Sequence, residues 1–267
     1  MKHKNILDTK GCFLDKENKE LIIVTEVCEY GTLHDQIKIQ RNSGRHFEEC
    51  TVLTVLGQMI EALAYTHDEN TLHCDIKSEN ILIKTDGSVK LADYGLARLL
   101  KQEDAMGVRG TSSYISPEMW LEQHVDGKTD IWSTAITMFE LLDLEFPFGE
   151  RNGKNKKWNI CHAEPELLKA RVSQPTNNIL MRMLQKDTAM RPTAREILAM
   201  TQLQHYIGPM DAKKSEALLL GKPVSEKDEI KTEIQNQLVS TTFMSMSYEA
   251  WDSDLVKVNP AQAVEQT

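Results

Sequence analysis

The chain has 267 residues, of which 40% are hydrophobic and 27% are charged, and its formal net charge is −9. This composition predicts one sizeable globular core with a tail, and the negative charge argues against a nucleic-acid-binding surface. The longest purely aliphatic run in the first half, 21–24, is far too short to span a bilayer, and the charged start MKHKNILDTK lacks the apolar stretch of a secretory signal. We therefore expect a cytoplasmic or nuclear protein that binds neither membrane nor nucleic acid.

The five cysteines are scattered along the chain, with no CxxC pair and no Cys/His pair at metal-ligand spacing. An odd, dispersed set of this kind predicts neither a disulfide framework nor a zinc site. We expect reduced thiols.

The first half begins with two predicted strands and continues with two predicted helices. Residues 7–13 and 21–27 are rich in apolar and β-branched side chains and flank the polar turn DKENKE, which predicts a hairpin. Residues 32–40 and 48–67 have helical spacing, and the second segment carries an apolar stripe typical of a buried core face.

A second hairpin follows, with strands at 81–83 and 89–91 around an Asp-Gly turn. It carries Asn80 and Asp93 at its two ends, so we expect these side chains to lie together. Helices are then predicted at the end of the globular part, over 128–143, 165–172, 177–185 and 192–200.

Residues 211–267 contain 10 acidic and 6 basic side chains and few bulky ones, which is typical of a disordered tail. The alternatives to a fully disordered tail are a short amphipathic helix around 230–238 and a docking peptide at 248–251.

The segment HCDIKSEN, residues 73–80, and the triplet Asp93-Tyr94-Gly95 supply the groups that phosphoryl transfer requires. That reaction needs a carboxylate for the hydroxyl proton, an amide and a second carboxylate for Mg²⁺, and a cation near the transferred group. Asp75, Asn80, Asp93 and Lys77 provide them in that order.

The spacing of these residues resembles the catalytic loop of eukaryotic-type Ser/Thr protein kinases, and further motifs of that family follow in order. GTSSYISPE at 110–118 resembles the peptide-positioning segment, DIWS at 130–133 the start of the central buried helix, and DTAMRPT at 187–193 the turn with a paired Arg. The resemblance covers about residues 1–205. It implies an α+β, protein-kinase-like fold with a mainly helical large lobe and only the last strands of the small lobe.

The resemblance implies a role for each residue of the motif. Asp75 would be the catalytic base, Lys77 would stabilise charge on the transferring phosphoryl, and Thr111 would contact both the base and the incoming peptide. Asn80 and Asp93 would hold Mg²⁺ through hard oxygen ligands.

For ATP, the resemblance implies that Glu26 and Cys28 form the hinge whose backbone binds adenine, after a gatekeeper at Thr25. Leu82, Lys77, Asn80 and Asp93 complete the implied nucleotide site. The implied partners are ATP and a protein or peptide substrate with Ser or Thr.

Other motif residues would have structural roles. The resemblance implies that His73 and Tyr94 pack, that Asp130 braces the catalytic-loop backbone, and that Glu118 pairs with Arg191 in a partly buried ion pair.

Cys74 stands where the family usually has Arg, which makes this a non-RD catalytic loop. The usual Arg pairs with a phosphate on the activation loop, and a thiol cannot. Residues 96–107 contain no Ser, Thr or Tyr, so we expect no switching by phosphorylation in that stretch.

The family's Gly-rich loop, strand lysine and helix glutamate have no counterpart before residue 31, and we expect a domain truncated at its front. The expected organisation is a small-lobe remnant and hinge over 1–30, a large lobe over 31–205 and a tail over 206–267. This predicts a kinase catalytic lobe that is inactive as the truncated chain. The alternative is a pseudokinase-like binding or scaffold protein.

Overall fold

A computed structural model describes most of the chain up to residue 207. The described residues are 2–15, 20–96, 98–99, 111–150, 153–166, 168 and 172–207. They belong to two compact units, one holding residues 8–27 and the other residues 2–7 together with 28–207. Parts of two predicted segments lie outside the described residues. They are residues 208–267 of the tail predicted over 206–267, and half of the helix predicted over 165–172.

The smaller unit contains an antiparallel hairpin of β1, Thr9–Asp15, and β2, Glu20–Thr25. The β-branched run of β2 favours a strand, and the prediction is confirmed with boundaries shifted by one or two residues. At the open end, the Glu26 amide donates to the Asp8 carbonyl at 2.9 Å, and the Asp8 amide donates to Glu26 Oε1 at 3.0 Å. These bonds tie the two strands together where the hairpin opens.

The larger unit is mainly helical, which confirms the α+β class. Its helices are α1 Leu33–Ser43, α2 Glu49–Asp68, α3 Pro117–Trp120, α4 Lys128–Asp143, α5 Lys156–His162, α6 Gln174–Met183 and α7 Ala194–Leu198. Its strands pair antiparallel as β3 Thr71–Leu72 with β6 Arg98–Leu99, and β4 Ile81–Ile83 with β5 Val89–Leu91. Short 3₁₀ turns occur at Ser78–Asn80, Tyr94–Leu96 and Thr201–Leu203.

Helices α2 and α4 form the centre of this unit. In α4 every residue over 129–142 is buried, and α2 packs against α4, α7 and β5. A helix that is buried on all sides belongs in a core. Six residues of this range are polar, and the side chain of each one has a hydrogen-bond partner. The boundaries of α4 agree with the sequence prediction at both ends.

Local sequence signals set several helix ends. Thr32 and Asp35 form a capping box at the start of α1, and α1 ends at Gly44, whose φ of 63° suits glycine. Thr193 and Glu196 form the same reciprocal cap on α7. This cap places the start of α7 two residues later than predicted.

The β4–β5 hairpin determines where the two predicted metal ligands lie. Ile81 pairs with Leu91, and Gly87 in the turn has φ 74°, as the Asp-Gly signal predicts. The Ala92 amide donates to the Asn80 carbonyl at 2.8 Å, which extends the ladder past the strand ends. Asn80 directly precedes β4 and Asp93 lies two residues after β5, so both residues lie at the same end of one hairpin.

The core extends two residues beyond the boundary expected for the large lobe. Tyr206 and Ile207, assigned to the tail from sequence, pack against the core. The close approach of the chain there requires Gly57, because a Cβ atom at that position would lie 3.1 Å from the Tyr206 carbonyl oxygen. None of the helices in the described residues is both long and apolar enough to cross a bilayer.

Candidate active site

The backbone of the catalytic loop, residues 73–80, is fixed by a carboxylate at the start of α4. Asp130 is fully buried and accepts hydrogen bonds from the His73 amide at 3.0 Å, the Cys74 amide at 2.9 Å and His67 Nε2 at 2.9 Å. Cys74 has φ 63°, a left-handed conformation that non-glycine residues adopt uncommonly. The predicted role of Asp130 as a brace is confirmed.

The charge of Asp130 follows from these partners. Burial alone would raise the pKa of its carboxyl group, but the hydrogen bond and charge of His67 and the His73 amide hold it below the ordinary value. Asp130 is therefore an anion that accepts three hydrogen bonds in the core.

His73 has a structural role, as predicted. Its ring is buried, Nε2 lies 2.9 Å from the Ala92 carbonyl oxygen, and Nδ1 accepts the Asp75 amide at 3.2 Å. Burial lowers the pKa of His73 below its ordinary value, so the imidazole is neutral. The Tyr94 ring packs against it with centroids 4.6 Å apart. His73 thus links the catalytic loop to the segment that carries Asp93.

Hydrogen bonds connect four side chains predicted to take part in the chemistry into one chain, Thr111–Lys77–Asp75–Asn80. Lys77 Nζ lies 2.6 Å from Asp75 Oδ2 and donates to Thr111 Oγ1 at 3.2 Å. Asn80 Nδ2 donates to the Asp75 carbonyl oxygen at 2.8 Å and to Asp75 Oδ2 at 3.2 Å. The Asp75 carboxylate is almost buried, whereas Thr111 is exposed. One carboxylate, one ammonium and one hydroxyl therefore meet at the edge of the protein.

The residues predicted to bind Mg²⁺ offer suitable donors. The amide nitrogen of Asn80 is used within the loop, which leaves its amide oxygen for a cation. Asp93 has φ 62°, and its Oδ1 accepts the Gly95 amide at 3.2 Å, which fixes the half-buried carboxylate. Two hard oxygen groups at one end of a hairpin fit Mg²⁺, which usually binds few protein ligands. Within the described residues, no cluster of three or more His, Cys, Asp or Glu forms a separate metal site.

The remaining nucleotide-binding candidates fall in both units. Glu26 belongs to the smaller unit, where its amide and carboxylate bond to Asp8, and Thr25 ends β2. Cys28 and the β4 residue Leu82 are half-buried in the larger unit. Their contacts with adenine stay a prediction.

A buried ion pair fastens α3 to the turn before α7. Arg191 bonds to both carboxylate oxygens of Glu118, at 2.7 and 3.0 Å, and also to the Gln185 carbonyl oxygen. Burial would raise the pKa of Glu118, but the hydrogen bonds and charge of Arg191 lower it. The predicted pairing is confirmed, and the pair is fully buried, not partly buried as expected.

Sequence reasoning missed a polar network beneath the catalytic loop. Tyr114 donates to Glu140 Oε2 at 2.6 Å, and Ser78 Oγ lies 3.3 Å from both Tyr114 Oη and His34 Nδ1. Burial raises the pKa values of both Tyr114 and Glu140. The one signal in the sequence was a glutamate between the apolar residues Phe139 and Leu141 of helix α4. The network connects the loop to α1, α4 and the segment after Thr111.

Cys74 lies in an apolar environment. The half-buried thiol packs against a small cluster separate from the main core, formed by Leu72, Ile115, Met119 and Val125. Of the stretch 96–107, the structure describes residues 96, 98 and 99, and the rest lies outside the described residues.

Comparisons with known proteins agree with the motif order. Residues 1–203 match the model of the protein kinase domain family. The chain is 36% identical over 195 residues to calcium-dependent protein kinase 6 of Plasmodium berghei, covering 71% of this chain and 13% of that protein. It is 36% identical over 200 residues to mouse Ser/Thr-protein kinase Nek3, covering 74% of this chain and 38% of that protein. Human Nek11 is 31% identical over 219 residues, 81% of this chain and 34% of Nek11. The chain thus spans less than two fifths of these relatives.

Proposed function

The chain belongs to the eukaryotic-type Ser/Thr protein kinase family, and we propose that it transfers the γ-phosphoryl group of ATP to Ser and Thr hydroxyls of proteins. The observation that carries this proposal is the 2.6 Å pair of Asp75 and Lys77, with Thr111 and Asn80 bonded to it. A carboxylate beside a cation at an exposed hydroxyl-binding edge suits proton removal and charge stabilisation together.

In this proposal Asp75 accepts the proton of the substrate hydroxyl and orients it for attack. The Asn80 amide holds the Asp75 carboxylate in place from one side. Lys77, which contacts the same carboxylate, moves from it during transfer and balances the negative charge of the transferring phosphoryl. Thr111 positions Lys77 and the incoming peptide. Because positioning and electrostatics supply nearly all of this catalysis, a network of short contacts is what the reaction needs.

For the cofactor, Asn80 and Asp93 would hold Mg²⁺, which when bound neutralises the phosphate oxygens of ATP. The backbone around Glu26 and Cys28, with the Leu82 side chain, would contact adenine. The cytoplasm or nucleus is the proposed compartment, supported by five cysteines that form no disulfide.

The test uses the full-length gene product, radiolabelled ATP and a protein substrate. Asp75→Asn should lower transfer by about 10²- to 10⁴-fold while nucleotide binding is kept, because the base acts on the hydroxyl. Asp93→Ala should weaken Mg²⁺-dependent nucleotide binding as well. Asp68→Asn removes an exposed carboxylate paired with Arg195 and should change neither property.

Full phosphorylation by Asp75→Asn would refute the role of this residue. Absence of transfer by the wild-type protein under every condition would favour the alternative of a pseudokinase-like binding protein.

A further inference from the structure

A basic and aromatic surface lies on α3, α5 and the residues just before α5. We call it the lysine–tryptophan surface, and it consists of Trp120, Lys154, Lys156, Lys157 and Trp158. Lys154 Nζ lies 5.0 Å from the Trp158 ring centroid, and Lys157 Nζ lies 5.2 Å from that of Trp120. Lys156 Nζ donates to Ser113 Oγ at 2.9 Å. Contacts with rings and a hydroxyl therefore hold the three ammonium groups on one surface.

The three lysines of this surface form no ion pair with a described residue. Among the residues that the structure describes, no carboxylate forms an ion pair with Lys154, Lys156 or Lys157. The chain as a whole has a net charge of −9, so a cluster of three lysines runs against its overall balance. Trp158 is 41% exposed although His162 stacks on its ring, which adds accessible apolar area. Cations beside exposed aromatic rings suit a ligand with acidic and apolar groups.

The surface lies close to the proposed point of phosphoryl transfer. Thr111 Oγ1 lies 3.2 Å from Lys77 Nζ, and Ser113, which bonds Lys156, is only two residues further along the chain. Two residues span at most roughly 7 Å, so the Lys77 and Lys156 ammonium groups are within roughly 20 Å of each other. An extended peptide covers that distance in about six residues.

We propose that the lysine–tryptophan surface binds acidic side chains of the protein substrate, within about six residues of the phosphorylated Ser or Thr. The inference rests on the proposed kinase function and adds a substrate class to it. Lys156 is the specificity-determining residue, because it is the lysine joined to the segment that carries Thr111. Lys157, over the Trp120 ring, adds a second positive charge to the surface.

The experiment compares peptides that contain one Ser and differ by Glu or Gln at each position on either side of it. The full-length protein should phosphorylate the best-placed Glu peptide with a kcat/KM about fivefold above its Gln partner, the size expected of an accessible ion pair. High salt should reduce the difference. Lys156→Glu should abolish the preference for Glu over Gln and favour a Lys peptide. Lys157→Glu should reduce the preference for Glu. Lys38→Glu makes the same charge change on the exposed face of α1 and should leave the preference for Glu intact.

Fluorescence anisotropy of the same labelled peptides decides the question independently of catalysis, and thermal melting verifies that each variant folds. If the protein transfers no phosphate but Lys156→Glu weakens Glu-peptide binding, the proposed function fails and the binding surface stands. Equal binding of Glu and Gln peptides, an unchanged preference in Lys156→Glu, or tighter binding of a single-stranded oligonucleotide at this surface would overturn the proposal.

Discussion

Helix α4 contains two buried carboxyl groups, Asp130 in its first turn and Glu140 near its end, and their environments differ. Asp130 accepts three hydrogen bonds, two of them from the backbone of the catalytic loop. Glu140 accepts a short hydrogen bond from the Tyr114 hydroxyl, and His34 Nδ1 lies 3.9 Å from its carboxylate. Both residues are at most 2% exposed.

The two groups differ in the direction of their pKa shifts. Burial pushes both pKa values upward, but the His67 and backbone hydrogen bonds bring that of Asp130 below its ordinary value, whereas that of Glu140 stays raised. The comparison teaches that burial does not set the charge of a carboxyl group by itself. The number of donors that face it, and their charge, determine which protonation state the fold stabilises.

The largest loss of stability expected from this comparison is that of Asp130→Asn. The amide can accept at one oxygen only, so donors among His67, His73 and Cys74 lose their acceptor in the core. We expect a loss of about 3 kcal/mol in the free energy of unfolding, measured by urea denaturation. The exposed control Asp68→Asn should change it by less than about 0.5 kcal/mol. Equal losses in the two variants would show that the brace does not stabilise the loop.

Tyr114→Phe should have the next largest effect. It removes the hydroxyl group that donates to Glu140 and leaves a buried carboxyl group without that donor. We expect a loss of about 1 to 2 kcal/mol in the free energy of unfolding. Combining it with Glu140→Ala, which removes the acceptor, gives a double-mutant cycle, and additive losses would mean that the two side chains do not interact.

Glu140→Gln should lower the free energy of unfolding by less, about 1 kcal/mol or below, because the Gln amide oxygen can still accept the hydrogen bond from Tyr114. Its pH dependence sharpens the contrast with Asp130. A raised folded-state pKa stabilises the fold below the unfolded value, about 4.3 for Glu, and that contribution is lost as pH rises through the folded pKa. The stability advantage of the wild type over Glu140→Gln should therefore shrink with rising pH.

The advantage of the wild type over Asp130→Asn should change in the opposite sense. A lowered pKa stabilises the fold above the unfolded value, about 3.9 for Asp, and that contribution is lost as pH falls through the folded pKa. Unfolding free energies measured from acid to neutral pH test both curves. Ser78, Glu79 and His34 also face Glu140, so parallel curves in the two variants would contradict the assignment to these carboxyl groups.

The smallest effect is expected for Cys74→Ala. Asp130 holds this residue through its backbone amide, which the substitution keeps, and only contacts of a half-buried thiol are lost. The free energy of unfolding should fall by about 0.5 kcal/mol, and kinase activity should stay near that of the wild type. A loss comparable with that of Asp130→Asn would mean that the thiol itself supports the loop.

The polar groups of the catalytic loop were predictable because the motif is local. Asp75, Lys77 and Asn80 lie within six residues, and the Asp-Gly turn brings Asp93 to the same end of a hairpin. The boundaries of α4 were predictable for a similar reason, since its apolar residues recur at helical spacing over the whole segment.

The network around Glu140 was not predictable, because its partners come from distant parts of the chain. Tyr114 is 26 residues away, and Ser78 and His34 are 44 residues from each other. Periodicity shows that a position is buried, but it does not show which side chain will face it. The charge of a buried carboxyl group depends on that second fact, so its pKa could not be derived from the sequence.

The Glu118–Arg191 pair joins positions 73 residues apart, and this separation has a kinetic consequence. Closing a long loop between distant positions costs chain entropy before the contact is gained, so we expect this pair to form late on the folding pathway. An interaction absent from the transition state contributes little to the rate of folding and much to the barrier against unfolding. The pair therefore acts mainly on the lifetime of the folded domain, by slowing the separation of α3 from the turn before α7.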